Sequence, residues 1–408
     1  MQLRILHVIA SVNPTGGGPI EGVKQLAKIN ENYGHKIEIL SLDDPASEWV
    51  GKFPHPVHAM GPASKIFGYT PRLVPWLRAN AHNYDVVVVN AIWGYNCFGT
   101  WLALRKSSLP YYVYTHGMLD PWFKYRYPLK HLKKMLYWPW GVYPALRDAR
   151  GVMFTCEEER MLARESFWLY DCNEIVVNYG TPGAPDQNKD YGAPFLEKHP
   201  ELKNFRRFVF LGRVHPKKGP DILIESIAKL RDKGLWDMKG MRLIMAGPVD
   251  GPYAESLKSL SRRLGVDECI YWTGMLLGDD KWGALQCSEA FVLPSHQENF
   301  GIAVAESLSV GVPVLISKAV NIWRPIVMDG AGLAEEDTVP GCVAMFERWF
   351  SMDTTHRELM RSKSHECFAS RFTSRNAAIS LLSNIYQVIY AEKHESSRGD
   401  ALRTHAVR

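Results

Sequence analysis

The sequence predicts an α/β protein made of two doubly wound, parallel-sheet domains. Three observations lead to that class. Short apolar runs rich in β-branched residues alternate with segments of helical apolar spacing, the pattern of parallel sheets covered on both faces. At 408 residues the chain is long enough for two domains, each with its own core. A stretch rich in Gly, Pro and charge, 178–207, interrupts the periodicity near the middle and reads as a linker. The expected boundaries are 1–185 for the first domain and 205–372 for the second. A final amphipathic helix over 373–392 carries Ala377, Ala378, Leu381, Leu382, Ile385, Val388 and Ile389. Residues 393–408 are polar, have no apolar face and are expected to be a mobile tail.

In chain order, Leu3–Ala10 predicts a buried first strand, followed by the turn Asn13-Pro14-Thr15-Gly16-Gly17-Gly18-Pro19. Gly16, Gly17 and Gly18 let the backbone approach a bound phosphate or sugar; a tight structural turn explains them equally well. The turn is not the Gly-x-Gly-x-x-Gly fingerprint, which argues against a dehydrogenase. A helix over Ile20–Tyr33 and a strand over Lys36–Leu42 follow. Tyr84–Asn90 and Tyr111–Met118 read as further buried strands, the second ending in His116-Gly117. Between Pro121 and Arg150 seven Lys or Arg residues face a single acid, Asp148. Trp122, Phe123, Tyr125, Tyr127, Tyr137, Trp138, Trp140 and Tyr143 are interleaved with them. Such a segment reads as a surface lying on anionic lipid, or as a helix with solvated lysines and aromatics in the core. No nucleic-acid motif accompanies it, so no nucleic-acid partner is expected.

In the second half, Phe208–Leu211 predicts a strand and Asp221 onwards a helix. The connecting Gly212-Arg213-Val214-His215-Pro216-Lys217-Lys218-Gly219-Pro220 places Arg213 and Lys218 beside a helix N-terminus. That is an anion site suited to a diphosphate. Ala290–Pro294 predicts another strand, and Glu-Asn-Phe-Gly-Ile-Ala-Val-Ala-Glu follows from Glu298 to Glu306. Glu298 then sits on a loop at a strand's C-terminal end, where open α/β sheets bind ligands, and Glu306 lies in the first turns of a helix. At the helical rise the two carboxylates should be roughly 10 Å apart, about the span from a sugar to the ribose of its nucleotide. Two glutamates solvated at a helix N-terminus would also fit the pattern.

Together these motifs resemble the family-4 retaining glycosyltransferases of the GT-B fold, over roughly residues 1–390; the paired glutamates are the most specific part. The resemblance implies two Rossmann-like domains facing across a cleft, with the final helix returning to the first. It implies that Arg213 and Lys218 neutralise the diphosphate leaving group of a UDP- or GDP-linked hexose. Glu298 would contact the donor sugar region, and Glu306 the ribose hydroxyls. The backbone around Asn299, Phe300 and Gly301 would approach sugar and phosphates, and His116 would act near the donor sugar. No cofactor and no divalent metal are expected, because fixed cations take over a metal's electrostatic role. The implied acceptor is a glycan or lipid-linked glycan of bacterial surface polysaccharide synthesis. A non-catalytic transferase-like subunit and a GT-B nucleotide-sugar epimerase are the alternatives.

Seven scattered cysteines without a Cys-x-x-Cys pair suit reduced thiols in a cytosolic protein. The apolar run Ile5–Ala10 is too short for a signal peptide, and no run reaches the length of a membrane span. The expected location is the cytoplasm, or the inner face of the cytoplasmic membrane as a peripheral protein.

Overall fold

The computed structural model describes residues 2–388. Contacts divide the chain into two units, one of residues up to Gly180 together with those from Ser374 onwards, the other Thr181–Thr373. The expected tail at 393–408, and Ile389 with the end of the last helix, lie outside the described residues.

In the first unit, seven strands run parallel in the order β3-β2-β1-β4-β5-β6-β7. They are β1 Arg4–Ile9, β2 Lys36–Ser41, β3 Val57–Ala59, β4 Val86–Asn90, β5 Tyr111–Tyr114, β6 Gly151–Phe154 and β7 Glu174–Val176. Alternation along each strand feeds two separate cores. Leu6, Val8, Val87, Val89, Tyr111 and Val113 face one, and Ile5, Ile9, Val86, Val88, Tyr112 and Tyr114 face the other. The second core is closed by Val23, Leu26 and Ala27 of the helix Gly18–Asn32. It is also closed by Ala377, Ala378, Leu381, Leu382 and Ile385 of the last helix, residues 374–388. Strand β5 ends at Tyr114, earlier than expected, so His116 lies two residues beyond it in the following loop.

The second unit holds six parallel strands in the order β10-β9-β8-β11-β12-β13. They are β8 Arg206–Leu211, β9 Met241–Ala246, β10 Ile270–Gly274, β11 Ala290–Leu293, β12 Val314–Ser317 and β13 Gly332–Glu335. Phe208 anchors the core, 5.5 Å from Trp236 and 5.3 Å from Phe346, ring to ring. The segment expected to be a linker is folded into this unit. It holds the helix Gly192–Lys198, whose Phe195 is buried, and Gln286 Oε1 accepts hydrogen bonds from Tyr191 N at 2.6 Å and Gly192 N at 3.0 Å. The break therefore falls at 180/181, not across 185–205. The polar residues that hid this helix occupy its solvent side, and two buried aromatics, Tyr191 and Phe195, are too few to show a period.

In each sheet the order reverses once, between β1 and β4 and between β8 and β11. Loops leaving such neighbouring strands diverge to opposite faces and leave a crevice where ligands bind.

Candidate functional site

The crevice of the second unit is formed by the loops after β8 and β11. Gly219 ties them together. It sits at φ 66°, and a Cβ there would lie 2.1 Å from the carbonyl oxygen of Pro294, so only glycine fits. The carbonyl of Lys217 accepts from His296 N and Ser295 Oγ, both at 2.8 Å. These bonds bring Lys218 to Glu298, 80 residues apart in sequence, and the two side chains form an ion pair. Both are largely covered, at 17% and 19% exposure. Burial first, and then the like charges of Lys217 and Arg213, push the Lys218 ammonium down to about 7, against the pull of the touching carboxylate. Arg213 is exposed on the same loop.

Glu298 is fixed by its backbone. Its N–H donates to Ala319 O and its carbonyl accepts from Asn321 N, both at 2.9 Å. Asn299 beside it meets the Asn321 side chain at 3.5 Å, and Phe300 is buried edge-on against Phe372. Gly301, at φ 73°, starts the helix Ile302–Ser309. Glu306 lies in the second turn of that helix, and its carboxylate pairs with Lys281 at 2.7 Å. Lys281, on the helix Gly278–Gln286, was missed from sequence because nothing near it marks a site; only folding brings it to Glu306. Each motif glutamate thus holds its own lysine.

In the first unit, Gly16 closes the 3₁₀ turn Pro14–Gly16, Gly17 adopts φ 82°, and Gly18 opens the first helix. The Tyr179 hydroxyl donates to Gly18 O at 2.8 Å, and a Cβ on Gly22 would fall 1.7 Å from that hydroxyl. The same tyrosine ring stands edge-on to His116 at 6.2 Å, so Tyr179 joins the glycine turn to the histidine. His116 stacks on Tyr114 at 5.2 Å, and its Nε2 is 3.2 Å from Asn90 Oδ1. Burial lowers its pKa to about 4, so the imidazole is neutral near pH 7.

His116 has φ 48°, a left-handed conformation unusual for a residue with a side chain. Its neighbours on both sides are held by one buried carboxylate. Glu159 Oε1 accepts from Thr115 Oγ1 at 2.5 Å and Gly117 N at 2.6 Å. Oε2 accepts from Thr155 N and Thr155 Oγ1, both at 2.7 Å. Glu159 was also missed from sequence, where Glu157-Glu158-Glu159 looks like an ordinary acidic first turn.

In the basic segment, the helices Trp122–Arg126 and Pro128–Tyr137 lead into a π-turn at Trp138–Val142. The aromatics divide between the two readings. Trp138 is buried and Trp122, Phe123, Tyr137 and Tyr143 are half-buried, while Tyr125, Tyr127 and Trp140 are exposed. The exposed apolar stripe is largely leucine: Leu129 at 77%, Leu132 at 56% and Leu136 at 72%. No described helix is long and apolar enough to cross a membrane.

Comparison with known proteins gives two family matches. "Glycosyl transferase 4-like domain" matches residues 17–179, and "Glycosyl transferases group 1" matches residues 194–359. A D-inositol 3-phosphate glycosyltransferase of Corynebacterium diphtheriae is 24% identical over 261 residues, covering 61% of this chain and 56% of that protein. One from Saccharomonospora viridis is 29% identical over 208 residues, 47% of this chain and 44% of its own length. The chain thus spans about half the length of these curated relatives. Among solved structures, a glycosyltransferase from Rickettsia africae superposes with a TM-score of 0.74 at 16% identity, over 95% of this chain and 99% of that one. Anabaena Alr3699/HepE in complex with UDP and glucose superposes with a TM-score of 0.71 at 16% identity, over 95% and 100%. At those identities the likeness is one of fold, and both domains of that fold are matched.

Proposed function

We propose that the chain, whose halves match a glycosyl transferase 4-like domain over residues 17–179 and the group 1 glycosyl transferases over residues 194–359, moves a hexose from a nucleotide-diphosphate sugar to a glycan or lipid-linked glycan, with retention and without a metal. The observation that carries the reading is the Lys218–Glu298 pair at the crevice of the second sheet. A covered lysine with two cationic neighbours is held by a single carboxylate, a set of charges that a dianionic diphosphate satisfies better.

On this reading the donor binds the second unit. Arg213 and Lys218 stabilise charge growing on the leaving diphosphate, so they act on the transition state. Displacement of Glu298 from Lys218 by the diphosphate frees its carboxylate to accept from sugar hydroxyls. Glu306 exchanges Lys281 for the ribose hydroxyls. His116 is neutral and half-buried and, on this reading, serves the sugar as a hydrogen-bonding group. UDP is the favoured nucleotide, because the Anabaena neighbour was crystallised with UDP and glucose. The acceptor binds the first unit, and a role in bacterial surface polysaccharide synthesis is part of the same proposal.

The enzyme also works at the cytoplasmic face of a membrane. Leu129, Leu132, Leu136 and Trp140 present an exposed apolar stripe interleaved with the exposed Lys130 and Lys133, and no acid occurs between Pro121 and Arg147. Apolar insertion plus cationic flanks match an anionic bilayer surface.

Thermal unfolding with UDP, GDP, ADP and NAD, on wild type and Glu306→Ala, tests the donor assignment. At 100 times its Kd a nucleotide adds about 2.7 kcal/mol, and that shift should appear with UDP and shrink in the variant. Stabilisation by NAD alone, or by none of the four, would sink it. Incubation of donor without acceptor separates the epimerase, which returns an isomerised sugar.

A further inference from the structure

We propose that a cavity of ≈ 60 Å³ in the first unit receives a compact oxyanion, a carboxylate or a phosphate, carried by the acceptor glycan. The inference rests on the transferase reading and names the chemical class of its acceptor.

The cavity lies at the same sheet edge as His116. Met118 and Asp120 on its wall belong to the loop that carries His116. Trp93, also on the wall, follows Asn90, the hydrogen-bond partner of His116, and its indole donates to Met118 O at 3.3 Å. The cavity wall and the His116 loop are therefore continuous along the chain.

Its chemistry is cationic and aromatic. Lys134 lies with its Nζ 4.2 Å from the centre of the Trp93 ring and 5.8 Å from that of Phe123. Among the described residues no carboxylate pairs with it, although most lysines this covered have one. Burial, and then the like charge of Lys130, lower its pKa to about 8. Lys130 lines the same space, with its Nζ 4.8 Å from the Tyr127 ring. Asp120 is the one carboxylate on the wall. It already accepts from Trp122 N at 2.8 Å, and two lysines outnumber it. The buried Ser166 adds a hydroxyl.

Calorimetric titration of the full chain with inorganic phosphate, glucuronate and glucose tests this, with UDP as an independent arm. Wild type should bind glucuronate or phosphate at least about tenfold more tightly than glucose. Lys134→Met keeps the aliphatic stem on Trp93 and should weaken the anion about tenfold, with an unchanged unfolding midpoint. Lys133→Met, the exposed neighbour, should leave anion binding at the wild-type level, and UDP affinity should be the same in all three proteins. Equal binding of glucose and the anions, or an unaffected Lys134→Met, overturns the proposal. If the anions bind through Lys134 but UDP does not bind, the donor reading fails and the cavity assignment stands.

Discussion

Lys218 and Glu298 hold each other in a partly covered crevice, and pH should reveal what that arrangement is for. The lysine's pKa is depressed to about 7, and under the proposed donor assignment a diphosphate bound beside it would raise it again. The sign follows from linkage: nucleotide affinity is full below the free value and falls as pH rises through it, by up to about tenfold per pH unit. UDP titrations between pH 6.5 and 9 should show that fall in wild type and a flat profile in Lys218→Arg, whose charge does not titrate. A wild-type profile as flat as the variant's would remove Lys218 from the diphosphate site. Glu159 makes the second residue-scale case. Its loss strands donors at Thr115, Gly117 and Thr155, all in buried surroundings. Glu159→Ala should destabilise the protein by about 3 kcal/mol or more in denaturant unfolding and shift the His116 imidazole resonances. A loss under about 0.5 kcal/mol would mean that other contacts fix the loop. The motif glutamates, Arg213 and Lys218 were legible because several chemistry-bearing residues crowd into short loops there. Glu159, Lys281 and Tyr179 were not, since each meets its partner only across a long stretch of chain.

The elements that position the site are short loops between strongly periodic segments, which is why their location could be read so closely. The depth of a loop could not. His116 was expected at a strand end and lies past it, because the left-handed turn is stabilised by Glu159 from a helix 43 residues on, outside any local pattern. The basic segment makes the same point. Composition flagged lysines and aromatics, but helix geometry decided that several aromatics turn inward and leucines outward. That division carries a prediction for the helix Pro128–Tyr137. Leu132→Glu should reduce sedimentation with anionic vesicles about tenfold or more, the effect of losing one buried apolar side chain, and leave stability unchanged. Ile379→Glu, on the last helix and 47% exposed in the native protein, is the control and should bind vesicles normally. Equal vesicle binding by both variants would rule out this stripe as the docking surface.

For the molecule as a whole, the two units place different groups at their sheet edges. The second carries paired cations and carboxylates; the first carries glycine-rich backbone, a neutral histidine and a basic aromatic cavity. Hydrogen exchange with saturating UDP should therefore slow amides at 212–219 and 295–301 and leave β1–β7 unchanged. Protection confined to the first unit would reverse the assignment of donor and acceptor. The sequence by itself determined the class of fold, the run of buried strands, and which short loops carry charge, because hydrophobic period and Gly–Pro punctuation are local properties of the chain. It could not set the break at 180/181, where a helix with two buried aromatics joins the second unit. Nor could it say that β8 lies beside β11 and β1 beside β4. Strand order is fixed by long-range packing, and only that order presses Gly219 against Pro294 and brings Lys218 to Glu298. The loops that carry Arg213, Lys218, Glu298 and Glu306 of the candidate site stand out in the sequence; that Lys218 meets Glu298 was decided by the tertiary structure, because a contact across 80 residues leaves no local period to read.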